Sequence, residues 1–221
     1  MAAGIKDKIL GESYSLFLER GYSQTTLRAI AEACGITHAN VLYHFKGKED
    51  IARQIIGRYL NTLKTEADWI AARHAVRTSP AFASLFWVTH LCYMTEYPEF
   101  ARFFVDALWQ QRELLADIIL QIQEEQGTTP MSALFNVKER ESHKLLAWKT
   151  GVLSDADYRS IEMLLSGMIT LREAACYMLA LLSLLFTGKK PPRTTLERDV
   201  SLMLDLIEPE NLKRIHAGCS F

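Results

Sequence analysis

Along most of this chain the apolar positions recur at intervals of three and four, the period of an amphipathic α-helix. No stretch shows the period of two expected of a half-buried strand. Ile5, Ile9, Leu10, Ser13 and Phe17 share one stripe, with Lys6, Lys8, Glu12 and Glu19 off it. This predicts a first helix over 5–20, stopped by Gly21. Leu27, Ile30, Ala31 and Cys34 give a second helix over 26–34. Gly35 then breaks the pattern, Ile36 places an apolar plug in the turn, and Thr37 is an N-cap candidate for a short third helix over 38–44. Ile51, Ile55, Tyr59 and Leu63, extended by Trp69, predict a fourth helix over 47–73, roughly 40 Å long at 1.5 Å per residue. The first three helices are expected to share a core of Ile9, Phe17, Leu27, Ile30, Ile36, Val41 and Phe45.

Further on, 74–79 reads as a break and Pro80 suits the first turn of a new helix. Residues 81–96 carry Phe86, Trp87, His90, Tyr93 and Met94. Pro98 interrupts, and 99–125 continues as one or two helices with Phe103, Phe104, Leu108, Leu115 and Ile119. A loop is expected over 127–130, helix over 131–150, a turn over 151–155, and one long or two joined apolar helices over 157–187. A turn at 188–193 precedes final helices over 195–207 and 210–217. The predicted class is therefore all-α, without repeats or low-complexity stretches. The longest apolar run, 174–186, is flanked by charges and too short to cross a bilayer, so no membrane partner is expected.

The stretch 25–48, TTLRAIAEACGITHANVLYHFKGK, has the order helix, tight glycine turn, helix. The wider segment IAEACGITHANVLYHFKGKEDI resembles the signature of TetR-type transcriptional regulators. That signature is an alanine-rich helix, Gly-aliphatic-Ser/Thr, a short helix ending in His-Phe, then Lys-Glu. The resemblance covers residues 5–60 in detail and the remainder only as an all-helical pattern of suitable length. It implies an N-terminal three-helix helix-turn-helix DNA-binding domain over 1–50. A long linking helix over about 47–73 would join it to a helical ligand-binding and dimerisation domain over 51–221.

Charge changes this picture little. The net charge is −1, which by itself does not favour a nucleic-acid partner. Residues 1–60 hold eight Lys/Arg against six Asp/Glu, and the excess of acid lies beyond them. The asymmetry has the sign expected for DNA at the N-terminal end, so a positive surface must come from placement. None of the four cysteines forms a CxxC pair or metal-type cluster. Cys34, Cys92 and Cys176 sit in apolar patterns, as in a reducing cytoplasm, and Cys219 lies in the tail as an expected exposed thiol. No secretory signal is read, and the expected location is cytoplasmic. There is no phosphate-binding Gly-rich loop, nucleophile elbow or HExxH, so neither enzyme chemistry nor a cofactor is expected.

In the third helix, His38, Ala39, Leu42 and Tyr43 should face outward, with Val41 and Phe45 inward. Two readings of Asn40 stand: a bidentate pair with adenine, or an amide bonded to its own backbone near a helix start. Ala39 is small enough for close approach to a base edge. Thr26, Thr37, Tyr43, His44 and Lys48 are candidate phosphate contacts, the threonines at helix starts where N–H groups attract anions. The resemblance adds Arg28, which in similar regulators reaches a guanine or a phosphate; otherwise it is a solvated side chain. Many relatives place Tyr three residues before the terminal Phe. Here Leu42 holds that place and Tyr43 follows it.

One short helix-turn-helix offers few contacts, so a homodimer reading a pseudo-palindromic double-stranded operator is expected. Its interface is placed on Leu164, Met168, Leu171, Ala175, Met178 and Leu182, with Leu165, Leu179 and Phe186 in the same broad stripe. The family commonly binds a small apolar or aromatic effector. Phe86, His90, Tyr93, Phe103, Phe104 and Trp109 are the candidate lining, although aromatic stripes at helical spacing are also plain core. The resemblance implies a dimeric repressor released from its operator by that effector through the long helix. The alternative is a helical small-molecule or partner-binding protein that does not bind DNA.

Overall fold

The computed structural model describes residues 4–76, 79–111 and 143–219. Ten helices follow one another among them: α1 Ile5–Arg20, α2 Leu27–Cys34, α3 His38–His44, α4 Lys48–Arg73, α5 Ser79–Glu96, α6 Pro98–Gln110, α7 His143–Leu165, α8 Leu171–Thr187, α9 Arg193–Leu206 and α10 Pro209–Gly218. No strand occurs among the described residues. The expectations for 112–142, with Leu115, Ile119 and the loop at 127–130, lie outside them.

Local signals set most boundaries. Thr26 and Thr37 cap α2 and α3, their hydroxyl oxygens accepting from Ala29 N and Asn40 N, each at 3.2 Å. After α2, Gly35 turns left-handed at φ 66°. Its N–H reaches Glu32 O, and Ile36 N reaches Ala31 O, each at 3.0 Å. This pair of bonds closes the helix end, and a side chain at Gly35 would strain the turn. Lys46 N donates to Asp50 at 3.1 Å and fixes the entry to α4.

One boundary differs from expectation. The turn predicted over 151–155 is absent: α7 runs straight through it, with Leu153 and Ser154 buried. Gly151 tolerates a helical backbone, and packing outweighs its weak propensity. The break falls later, where Gly167 at φ 70° ends α7 and Thr170 with Glu173 forms a reciprocal capping box that starts α8. Of the two forms expected for the apolar stretch, one long helix or two joined ones, the structure has two.

Helices α1–α3 pack into a small bundle on Ile9, Phe17, Ile30, Val41 and Phe45, all buried; Leu27 and Ile36 sit partly buried at its edge. The core continues without a gap into the remainder. Phe17 of α1 stacks on Phe103 of α6 at 5.1 Å, and α4 buries Ile51, Ile55, Tyr59, Leu63 and Ile70 along its length. At the chain end α10 lies against α4, where Asn211 and Arg214 bond the Glu66 carboxylate. That docking overturns the expectation for Cys219: the thiol is buried, and burial pushes its pKa up to about 12.

Candidate nucleic-acid interface

The bundle places one face of α3 in the open. His38, Ala39, Asn40 and Leu42 are exposed, and Tyr43 is 84% exposed, while Val41 and Phe45 anchor the opposite side in the core. An aromatic side chain so fully in solvent gains nothing from folding and has its surface available to a partner. Asn40 makes no side-chain hydrogen bond among the described residues. Its backbone N–H goes to Thr37, so the amide is free to meet a base edge. Arg28 projects from α2 and is exposed; His44 is half-buried, with its ring edge against Tyr43 at 5.1 Å.

Thr26 and Thr37 act as caps through lone pairs on the hydroxyl oxygen. The hydroxyl hydrogen of each remains available to a phosphate oxygen. Lys48 is held inward. Its ammonium donates to Tyr22 O at 2.7 Å and lies 4.3 Å from the Tyr22 ring centroid. Burial lowers its pKa from the ordinary lysine value. Two ammonium protons remain for a phosphate, although the side chain is turned onto Tyr22.

Sequence reasoning missed the contact that joins this motif to the rest of the chain. The turn between α1 and α2 docks on the end of α6. Ser23 N donates to Asp106 at 2.7 Å, the Ser23 hydroxyl bonds the same carboxylate, and Gln111 donates to the Tyr22 hydroxyl at 2.7 Å. Gln110 joins Ser23 and Asp106. Partners separated by more than eighty residues leave no periodic trace; the only local signal was the polar run after Gly21.

The expected effector lining is mostly packed interior. Phe86, His90, Tyr93, Phe103 and Phe104 are buried in one aromatic cluster with Tyr59 and Phe100. Burial raises the Tyr59 and Tyr93 hydroxyls far above the usual phenol range. Trp109 is separate from that cluster. It is 56% exposed, stacks on Tyr158 at 5.3 Å, and lines an open cleft of ≈ 660 Å³ between α6 and α7. Its position at the last turn of α6 places it outside the core that the apolar spacing suggested.

The expected dimer stripe also divides. Ala175, Met178 and Leu182 are buried against the chain's own core, where α8 packs on α5, and cannot meet a second copy. The reason is the width of the stripe: α8 is apolar nearly all round, and its inner third is used within the subunit. Leu164 and Leu171 are half-buried, and Met168 is 71% exposed at the corner between α7 and α8. Tyr177 and Leu184, seven residues apart on the outer face of α8, are exposed and were not among the expected interface residues. The side chain of Phe186 lies outside the described residues.

Comparison with known proteins agrees with this geometry. Residues 9–55 match the family of bacterial regulatory proteins described as the tetR family. The HTH-type transcriptional repressor BepR of Brucella suis is 44% identical over 57 residues, 26% of this chain and 27% of that protein. The HTH-type transcriptional regulator YttP of Bacillus subtilis is 32% identical over 77 residues, 33% of this chain and 37% of that protein. The matches thus span about a third of the length of those curated relatives. A crystal structure of a tetR family transcription regulator from Shewanella sp. PV-4 superposes over 86% of this chain and 100% of that one, with a TM-score of 0.50 at 17% identity, a likeness of fold. The helix-turn-helix region over 9–55 thus matches the tetR family of bacterial regulatory proteins, and the helical fold that carries it is like that of a solved tetR family regulator.

Proposed function

We propose that this protein is a dimeric DNA-binding transcriptional repressor whose hold on its operator is released by a small apolar or aromatic effector. The observation that carries the reading is the open face of α3: Asn40 without a side-chain partner among the described residues and Tyr43 in solvent, on a helix fixed from behind by Val41 and Phe45. In this reading α3 enters the major groove, where Asn40 and Ala39 meet base edges. Thr26, Thr37, Tyr43, His44 and Lys48 hold the backbone, and Arg28 meets a guanine or a phosphate. Relatives matched over part of the chain include proteins named as repressors.

Two copies present two such helices to a pseudo-palindromic site. The exposed Met168, Tyr177 and Leu184, with half-buried Leu164 and Leu171, support a partner face on α7 and α8. The effector acts by its difference in affinity between two arrangements of the body, passed on through α4 and the α6 contact with Ser23. Fluorescence anisotropy on a random duplex tests the DNA reading. Affinity should fall steeply with salt, with log K against log salt sloping by about −0.9 per phosphate neutralised. Negligible binding at low salt overturns it.

A further inference from the structure

Between α5, α8 and α9 lies a cavity of ≈ 580 Å³, the size of a small-molecule site. Its floor is aliphatic: Leu85 of α5, Leu179 of α8 and Leu196 of α9, each 6% exposed or less. Met203 and Leu206 continue that wall along α9, and Leu202 stands at the rim, 57% exposed. No aromatic ring is among the described lining residues. The cavity is thus separate from the packed cluster around Tyr59 and Phe104. On α8, Leu179 and Ser183 lie on one flank of the buried Met178 row, and Tyr177 and Leu184 on the other. An occupant here does not compete with a second copy docked on Tyr177 and Leu184.

Two polar side chains in the lining set the chemistry of an occupant. The Ser183 hydroxyl donates to Lys189 O at 2.8 Å, so its oxygen is left to accept. Arg198 bonds Asp199 through Oδ1, at 3.0 and 3.1 Å, and Oδ2 makes no hydrogen bond among the described residues. Both groups present acceptors, and the ion pair with Arg198 offsets the charge of Asp199. A neutral donor suits such a site. A carboxylate meets Asp199 as a like charge, and an ether has no proton to offer.

We propose that this cavity is the effector site and that its ligand is an aliphatic alcohol, its chain on Leu85, Leu179 and Leu196 and its hydroxyl donating to Asp199. The assignment rests on the effector-responsive reading above and gives it a place and a chemistry. The cavity also touches the end of the long helix. Val76, which lines it, donates its N–H to Ala71 O at 2.8 Å and closes α4. The residue before it, Ala75, is held at φ 54°, a left-handed backbone that strains any residue but glycine. An occupant packed on Val76 favours one arrangement of this turn, and α4 carries the choice to Lys48 at its other end.

Three probes of similar size decide the matter: 1-octanol, its isomer heptyl methyl ether, and octanoate, titrated into the full chain by calorimetry and thermal shift without DNA. Octanol is expected to bind at least about tenfold more tightly than the ether, the effect of one hydrogen bond to a charged acceptor, and more tightly than octanoate. Asp199→Asn, whose amide also donates, should bring the ether within about threefold of octanol. Met203→Trp fills the cavity from a half-buried position and should abolish octanol binding. Circular dichroism and urea midpoints show whether each variant folds, and Asp199→Asn at the cavity's polar side keeps the test open if Met203→Trp does not. Hydrogen exchange of the Val76 amide should slow when octanol binds. Ether or octanoate binding as tight as octanol, octanol binding that survives in folded Met203→Trp, or no octanol binding at millimolar concentration overturns the proposal. Unchanged exchange at Val76 overturns its link to α4. Salt-dependent duplex binding of the unliganded protein is measured apart, so failure of the ligand assignment and failure of the DNA reading are told apart.

Discussion

The two ends of this molecule use apolar side chains in opposite ways. In the N-terminal bundle α2 and α3 are eight and seven residues long, and each buries one narrow face. What remains outside is polar or exceptional, as with Asn40 and Tyr43. In the body α8 is longer, with 17 residues, and apolar nearly all round; it buries Ala175, Met178 and Leu182 while leaving Tyr177 and Leu184 exposed. A narrow apolar stripe tells which face is free. A broad one does not, because the subunit's core and any partner compete for the same residues.

The largest test asks whether the two regions share one core. Phe103→Ala removes the ring stacked on Phe17 and should cost about 3–5 kcal/mol. Urea unfolding followed by fluorescence and circular dichroism should stay a single transition at a lower midpoint. Two separate transitions would break the comparison by showing that the bundle folds independently of the body. A second test separates recognition from construction. Asn40→Ala should relax preference at one base position by about 1–3 kcal/mol and leave stability within about 0.5 kcal/mol. Lys48→Ala should weaken binding to all duplexes, lower the salt slope by about one, and also lower the unfolding midpoint, since its ammonium holds Tyr22 O. Equal effects of both variants on specificity would sink the assignment of roles.

A smaller effect is expected from Thr37→Ala, which removes the cap bond to Asn40 N. About 1 kcal/mol of stability should be lost, and part of the helical signal near α3 with it. The smallest concerns His216, stacked on Tyr97 at 4.1 Å, whose burial holds its pKa below the ordinary 6.5. The folded chain therefore binds fewer protons there than the unfolded chain. Stability is full above about pH 6.5 and falls as pH drops through the folded value. Urea midpoints at neutral and mildly acidic pH, compared with those of His216→Gln, should show a shallower loss in the variant.

Much of the architecture was legible because it is encoded within a few residues. The stops at Gly21 and Gly35, the caps at Thr26 and Thr37, and the long stripe of α4 each need only neighbours in sequence. The same holds for the candidate DNA face, where a helix of seven residues shows its inner side through Val41 and its outer side by exclusion. The misplacements share one cause. The turn expected over 151–155 and the exposed face expected at Met178 both asked which of several apolar surfaces a helix would bury, and against what.

The sequence alone determined that the chain is helical, that its first helices form a helix-turn-helix, and which side chains that motif presents. Periodicity, capping and glycine turns act over three to five residues and need no knowledge of the remainder. Tertiary structure alone decided that Ser23 meets Asp106, that Lys48 is turned onto Tyr22, that Cys219 is sealed under α10, and that Tyr59, His90 and Asp157 line up across three helices. Those pairings join residues tens of positions apart. Their energy comes from desolvation and geometry that exist only once the helices have packed.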